Sequence, residues 1–244
     1  MRRFQVSVPR ILLIVLFLCS MLFALCPDTY ALDSNRKILP NGLTVLYSEK
    51  HNIPIVMVTM IIKASPLDEP KEKAGLATLV AGLLDEGTKN RKSTEISEEI
   101  EFIGASLGSY AGSDYTTVTL SVLKKDMEKG FELFSDIALN PIFPQEELDR
   151  KRDRIKGSLK QREEEPSFLA GRAFSKEVFG EHPYGRLTEG SVETLSAITR
   201  EDLTKFHSKY FIPNNVILSI AGDLTSVELD SLIKKYLASW KAAA

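Results

Sequence analysis

The chain has 244 residues, of which 43% are apolar and 26% are charged. This composition is typical of a folded globular protein, and it excludes a disordered tail or a protein with many membrane spans. The 31 basic and 33 acidic residues leave a net charge of −2, and no basic stretch stands without interleaved acids, so we expect no nucleic acid partner.

Residues 1–31 have the order of parts found in a secretory signal peptide. Arginines precede an apolar run over residues 11–25, and the small residues Thr29 and Ala31 precede Leu32. Since a membrane-spanning helix needs about 20 apolar residues, we expect cleavage after Ala31 and no stable membrane insertion. The protein is then exported to the periplasm or the cell exterior, and it stays membrane-associated if the segment is retained.

The chain after residue 31 contains no cysteine, because Cys19 and Cys26 both belong to the leader segment. An exported chain over residues 32–244 therefore has neither a disulfide nor a thiolate metal site. Its stability must come from the packing of apolar residues, and a chain of this length buries a substantial core.

The first elements after the leader are predicted to be strands. Asn41-Gly42 lies between two apolar stretches, which is the strongest short signal for a hairpin. The run over residues 53–63 is almost entirely apolar, which predicts a strand covered on both faces. Apolar residues then recur at spacings of three and four over residues 74–84, which predicts an amphipathic helix that ends at Gly87.

The remaining elements mix helix-type and strand-type patterns. Further strands are predicted within residues 106–123 and over residues 215–222. Helices are predicted over residues 94–103, 127–139, 145–165, 167–179, 199–210 and 225–240. Because hairpins outnumber β-α-β units, the predicted fold class is α+β, a mainly antiparallel sheet with helices packed on one face. No low-complexity linker divides residues 32–244, so we expect one domain there.

No catalytic motif can be identified from the residues alone. The three histidines, His51, His182 and His207, have no second histidine or glutamate at the spacing of a helical zinc pair. They remain free to meet in space. The glutamates at 163–165 are adjacent, so their side chains point around a helix instead of towards one ion. The sequence has no P-loop and no G-x-G-x-x-G motif.

A set of short segments nevertheless resembles the N-terminal domain of the M16 peptidases, the family of pitrilysin, insulinase and the mitochondrial processing peptidase. The segments follow the family's order over residues 36–240, and the combination is more specific than any one of them. They are Asn41-Gly42-Leu43-Thr44-Val45; Ala74-Gly75-Leu76-Ala77 continuing to Leu83-Leu84-Asp85-Glu86-Gly87-Thr88; Asp114-Tyr115-Thr116; His182-Pro183-Tyr184-Gly185-Arg186; and Asn214-Asn215-Val216 through Ala221-Gly222-Asp223.

The resemblance implies that a zinc motif has been lost. In active relatives the helix at residues 75–77 continues as H-x-x-E-H, in which two histidines hold zinc and the glutamate activates water. The three motif positions correspond to Thr78, Ala81 and Gly82, and a remote glutamate ligand corresponds to Ser158. Because these side chains lack the required donor atoms, the resemblance implies a member that binds no zinc cofactor and has no catalytic residues.

The resemblance also implies partners. Family members are built from two-domain halves that enclose a chamber, and in several two-chain members one subunit is degenerate. We therefore expect an exported non-catalytic subunit, ending before a second homologous domain, that pairs with an active zinc peptidase and helps to bind or enclose extended peptides. In relatives the peptide adds to the sheet edge at the stretch matching Gly108, Ser109, Tyr110 and Ala111, where active members have N-A-x-T. Main-chain pairing tolerates such side-chain change.

Two alternatives remain open at this stage. One is an active zinc metalloendopeptidase whose ligands are rearranged among the three histidines and acidic residues. The other is a purely structural scaffold subunit, in which residues 108–111 form an ordinary edge strand without a ligand. Metal analysis with a cleavage assay tests the first alternative, and titration with a labelled peptide tests the second.

Overall fold

The computed structural model describes residues 8–24 and 34–242. The chain divides into two units, Met1–Asp33 and Ser34–Ala244. In the first unit, helix α1 spans Val8–Ala24. Among the described residues, none of the helices combines the length and the apolar content that a membrane span requires. The predicted cleavage site after Ala31 lies outside the described residues.

The second unit is organised around one six-stranded sheet with the strand order β1-β2-β6-β3-β5-β4. Strands β2 and β6 are parallel, and the other neighbouring strands are antiparallel. The sheet is therefore mainly antiparallel, as predicted. The strands are β1 Asn35–Ile38, β2 Thr44–Glu49, β3 Ile55–Ile62, β4 Ser106–Ala111, β5 Thr116–Leu123 and β6 Val216–Gly222.

The helices of this unit complete the α+β fold that the sequence predicts. Helices α2 and α4 both contact β5, so they pack on the sheet directly. The helices are α2 Leu76–Ala81, α3 Ser93–Phe102, α4 Met127–Leu139, α5 Gln145–Arg162, α6 Pro166–Phe179, α7 Val192–Ala197, α8 Arg200–Tyr210 and α9 Ser226–Tyr236.

The hairpin predicted at Asn41-Gly42 is confirmed. Gly42 has a φ of +86°, a left-handed backbone that glycine adopts without steric cost. The side-chain oxygen of Asn41 accepts a hydrogen bond from the backbone of Leu43 at 3.2 Å. This turn sets the antiparallel register of β1 and β2, in which Ile38 lies opposite Thr44.

The prediction that the strand within 53–63 is covered on both faces is wrong. Val56, Val58 and Met60 are fully buried, whereas Met57, on the opposite face, is 58% exposed. Strand β3 lies between β6 and β5, so its backbone is paired on both sides while the described helices cover one face of the sheet. The apolar run therefore reflects a central position in the sheet more than burial of both faces.

The predicted helix over residues 74–84 is shorter than its apolar pattern. Helix α2 ends at Ala81, and Leu83 and Leu84 are buried in the turn that follows. Gly87 does not end the helix. It has a φ of +134° and forms an isolated β-bridge with Lys92. The leucine spacing therefore indicates which residues are buried against the core. This burial extends to Leu83 and Leu84, beyond the end of the helix.

Candidate functional site

The candidate site is built on α2, whose first turn is held by a buried carboxylate. Gly75 precedes the helix with a φ of +100°, and the Glu69 side chain accepts backbone hydrogen bonds from Gly75 and Ala77, each 2.9 Å long. Glu69 is 7% exposed. Burial raises the pKa of Glu69 to about 7, although the two backbone hydrogen bonds act in the opposite direction. This carboxylate satisfies two of the free N–H groups at the helix start.

Thr78, the first motif position, uses its hydroxyl in a contact within the fold. The side chain donates a hydrogen bond of 2.8 Å to the carbonyl oxygen of Thr188. The contact attaches the segment around Thr188 to the half-buried Thr78 on α2. A hydroxyl that donates to a carbonyl is a poor ligand for zinc, which prefers imidazole nitrogen, thiolate or carboxylate.

Ala81, the second motif position, connects α2 to the edge of the sheet. Its carbonyl oxygen accepts a hydrogen bond of 2.5 Å from the side chain of Ser109 on β4. The Ala81 methyl group is buried and carries no group that could accept a proton. The position therefore offers a backbone contact but no general base.

Gly82, the third motif position, faces the side chain of Lys151 on α5. A Cβ atom added to Gly82 would lie 2.7 Å from Cε and 3.0 Å from Nζ of Lys151. Cβ atoms essentially never approach other atoms as closely as the first of these distances. The end of the flexible Lys151 side chain thus lies where a larger residue at position 82 would extend, and it would have to move aside for such a residue.

Ser158, the position of the remote ligand, lies exposed on α5. Lys151 and Ser158 are seven residues apart and so share nearly the same stripe of this helix, about two turns from each other. The contact with Gly82 is made by Lys151, which sequence reasoning did not single out. The sequence offered one indication of this contact, the spacing of seven residues between Lys151 and Ser158. That indication is weak, because α5 carries many basic residues.

Acidic groups lie near the Lys151 ammonium, but they do not form a metal centre. Burial raises the pKa of Glu86, Asp85 and Glu147 raise it further, and the charge of Lys151 lowers it. Within residues 8–24 and 34–242, no three His, Cys, Asp or Glu side chains are grouped so that they could hold a metal ion. A hydroxyl, a methyl group, a glycine and a lysine do not fit the donor set of a zinc site.

The three histidines each bond to other parts of the protein. His51 is exposed and bridges two carboxylates, with Nδ1 2.5 Å from Asp223 and Nε2 2.6 Å from Glu49. His182 accepts a hydrogen bond of 3.2 Å from the backbone of Tyr184. His207 is largely buried with Nε2 2.9 Å from the carbonyl oxygen of Ala138, and burial lowers its pKa to about 4. Each histidine ring therefore bonds to a different set of neighbours.

Strand β4 forms the edge of the sheet beside α2. Gly108, Ser109, Tyr110 and Ala111 all belong to this strand, which pairs with β5 on its inner side. No other strand in the described part of the chain pairs with its outer side. Tyr110 is 68% exposed, whereas Ser109 faces α2 and Ala111 is buried. Strand β4, where the peptide edge is predicted, is therefore in direct contact with α2 at Ala81.

Comparison with protein families gives two matches along the chain. Residues 44–191 match the model for insulinase, peptidase family M16, and residues 197–244 match the model for the peptidase M16 inactive domain. The first match contains α2, β4 and α5, the three elements that build the candidate site.

Individual relatives agree with these matches. An uncharacterized zinc protease of Mycobacterium leprae is 28% identical over 84% of this chain and 46% of its own length. Cytochrome b-c1 complex subunit 1 of Bos taurus is 29% identical over 81% of this chain and 41% of its own length. The crystal structure of a peptidase M16 inactive domain from Pseudomonas fluorescens has a TM-score of 0.82 at 25% identity, covering 87% of this chain and 53% of that one. The chain spans about half the length of the curated relatives it matches.

Proposed function

Because the chain belongs to the insulinase family of peptidases, family M16, we propose that it is a non-catalytic member of that family. The observation that carries this proposal is the composition of the motif region. The Thr78 hydroxyl donates a hydrogen bond to Thr188, and the Ala81 side chain has no group that could act as a general base. The ammonium end of Lys151 lies in the space beside Gly82. These groups can neither hold zinc nor activate water.

We further propose that the protein binds extended peptides at the outer side of β4. An edge strand presents a row of backbone N–H and C=O groups, which can pair with a peptide in extended conformation. The hydrogen bond between Ser109 and Ala81 keeps this edge against α2, where a peptide would pass the altered motif. Because the pairing uses main-chain groups, it does not require the side chains that catalysis needs.

We propose that the protein is exported and acts as a subunit beside an active zinc peptidase of the same family. The signal-peptide pattern of residues 1–31 supports export. One relative is named as a subunit of a larger complex, which supports a role in an assembly. A chain that binds peptide without cutting it contributes to proteolysis through such a partner.

Two measurements on the purified protein test this function. Metal analysis by mass spectrometry is expected to find zinc far below one ion per chain, and a peptidase assay is expected to find no cleavage. Titration with a fluorescein-labelled, unstructured peptide is expected to give saturable anisotropy. Stoichiometric zinc together with chelator-sensitive cleavage would instead favour an active metallopeptidase with rearranged ligands.

The scaffold alternative predicts a different result in the same titration. A purely structural subunit has no peptide site, so anisotropy would not rise above the level of an unrelated control protein. If the protein binds neither zinc nor peptide, the proposed peptide site is wrong. The proposal that the protein is non-catalytic would still stand.

A further inference from the structure

A cavity of about 590 Å³ lies away from the Gly82–Lys151 contact, between α6 and the segment over residues 180–194. The segment closes against the end of α6, since a Cβ at Gly185 would lie 2.6 Å from the carbonyl oxygen of Gly180. On α6 itself, Gly171 lines the cavity, and a Cβ there would meet no atom within 4 Å. The volume is in the range of sites that bind small molecules.

The lining of this cavity is strongly basic. It contains one carboxylate, Glu181, within the described part of the chain. The basic side chains that line it are those of Lys71, Arg162, Arg172, Lys176 and Arg186. The cavity therefore combines several cations in a partly enclosed space, where their fields add.

Three of these cations are already paired with carboxylates. Lys71 bonds to Glu181, Arg162 bonds to Glu189, and Arg172 lies 3.4 Å from Glu163. The guanidinium of Arg162 also lies 4.2 Å from the centre of the Phe168 ring, which fixes its position in the wall. The charges of these three cations are therefore balanced by carboxylates, whereas the other cations that line the cavity are not balanced in this way.

Lys176 and Arg186 supply the excess charge. Neither has a carboxylate within 4.0 Å among residues 8–24 and 34–242. The Nη1 atom of Arg186 is buried and, in that same part of the chain, has no hydrogen-bond partner. Buried polar groups are nearly always satisfied, so the unpaired Nη1 is a hydrogen-bonding requirement that the described residues leave unmet, and the same guanidinium belongs to a residue that lines the cavity. The planar fork of arginine matches the oxygens of a carboxylate or a phosphate.

We propose that this cavity is a binding site for a small oxyanion, a carboxylate or phosphate group held by Arg186 and Lys176. Both side chains line the same cavity, together with the Glu181 carboxylate. The site is separate from the peptide edge on β4, and the proposal does not depend on the peptide-binding function.

The test is isothermal titration calorimetry of the full chain with inorganic phosphate and, separately, with succinate. At least one anion is expected to bind saturably at one site per chain in about 0.15 M salt, where weak surface attraction is screened. The anion that binds more tightly identifies the group that the cavity prefers. R186Q and K176Q are each expected to weaken that binding about 10- to 100-fold, the loss typical of a hydrogen bond to a charged group.

A second pair of variants keeps the test valid if Arg186 is needed for folding. G171E places a carboxylate into the open space beside α6 and is expected to abolish binding, whereas G171A adds only a methyl group and is expected to retain it. K50Q, an exposed lysine outside the cavity, controls for net charge. Absence of saturable binding of both anions, or equal binding by G171E and the unaltered chain, would overturn the proposal.

Discussion

Lys151 places a positive charge in the space beside Gly82, where a zinc site would need a neutral or anionic ligand. Two like charges about 4 Å apart repel by several kcal/mol at the effective dielectric constant of a protein surface. A zinc ion carries twice the charge of an ammonium group, so the repulsion is correspondingly larger. If Thr78, Ala81 and Gly82 replace the zinc motif as proposed, the absent ligands are one obstacle to zinc binding, and the nearby charge of Lys151 is a second.

Restoring the motif alone is expected to fail for this reason. In T78H/A81E/G82H, the end of the Lys151 side chain must move away from the new histidine at position 82 and its positive charge stays near the metal, so zinc affinity is expected to stay weak. The same variant with K151A is expected to bind zinc at least about tenfold more tightly, because both the clash and the repulsion are removed. Competition against a fluorescent zinc chelator measures the two affinities.

K160A serves as the matched control, since Lys160 is an exposed lysine on the same helix. Adding K160A to the restored motif is expected to leave the affinity unchanged. Equal zinc binding with and without Lys151 would show that the ammonium group moves aside at no cost, and the predicted obstacle would be wrong. Adding S158E to the K151A background tests the predicted remote ligand, which should tighten zinc binding further.

Glu69 is expected to make stability depend on pH. Burial raises the pKa of this carboxyl from 4.5 to about 7, so in that interval the folded protein holds a proton that the unfolded chain has released. Stability is then fully present below pH 4.5, falls as pH rises towards 7, and levels off above it. The shift corresponds to about 3 kcal/mol of unfolding free energy.

The contribution of Glu69 can be isolated with E69Q, which does not titrate. Urea denaturation across this pH interval gives the unfolding free energies of the wild-type protein and E69Q. The wild-type protein is expected to lose stability relative to E69Q as pH rises. E69A, which leaves the backbone N–H groups of Gly75 and Ala77 without their acceptor, is expected to cost about 1–3 kcal/mol. A difference between wild type and E69Q that stays constant with pH would refute the assigned pKa.

At the scale of secondary-structure elements, the contact between α2 and β4 determines what a peptide would meet. Six-residue α2 is too short to be stable alone, and it depends on Glu69 at its start and on packing against the sheet. The bond from Ser109 to Ala81 joins the helix end to the edge strand. The proposed peptide edge on β4 and the proposed motif positions on α2 are therefore parts of one structural unit.

Proline substitutions on β4 test the peptide edge directly. Successive residues of a strand direct their N–H groups to opposite sides, so one of S109P and Y110P removes an outward N–H group and the other disturbs pairing with β5. The outward variant is expected to keep the circular dichroism spectrum and thermal transition of the wild-type protein while losing binding to the labelled peptide.

Y110A provides the control for this experiment, because it removes an exposed side chain and keeps the backbone N–H group. It is expected to change peptide affinity much less than the outward proline. If both folded proline variants bind peptide as the wild-type protein does, the edge of β4 is not the binding site.

The sequence predicted those parts of the fold that depend on neighbouring residues. The Asn41-Gly42 turn and strand β5 rest on local backbone preference and alternation, and both are found. Helix α7, with six residues, is too short to give a periodic signal and was not predicted. The insertion of β6 between β2 and β3 depends on pairing between residues far apart in the chain, and no local pattern encodes it.

The candidate site was predicted to a similar degree. The positions Thr78, Ala81 and Gly82 follow from the family resemblance, and the structure places all of them at α2. The role of Lys151 could not be predicted, because it depends on how α5 packs against the turn after α2. A glycine in the sequence does not reveal which neighbouring side chain lies against it, and at Gly82 only the structure identifies that neighbour as Lys151.

At the scale of the whole molecule, the proposed signal peptide over residues 1–31 would determine where the protein acts. If residues 1–31 form a cleaved signal peptide, the mature protein recovered from the exported fraction should begin at Leu32, as measured by N-terminal sequencing. A31R, which places a large charged residue at the cleavage position, is expected to block processing and keep the protein at the membrane. An unprocessed chain in the cytoplasmic fraction would contradict the prediction.

If the protein is the proposed non-catalytic subunit, its effect on proteolysis is expected only in the presence of an active partner. Mixed with a family member from the same cell that retains H-x-x-E-H, the protein is expected to raise the rate of peptide cleavage above that of the partner alone, since it adds a peptide-binding edge beside the active site. A zinc chelator should abolish all cleavage. The outward proline variant of β4 should give less stimulation at equal concentration, which separates peptide binding from simple stabilisation of the partner. An unchanged rate in the mixture, or chelator-sensitive cleavage by this chain alone, would refute the subunit role.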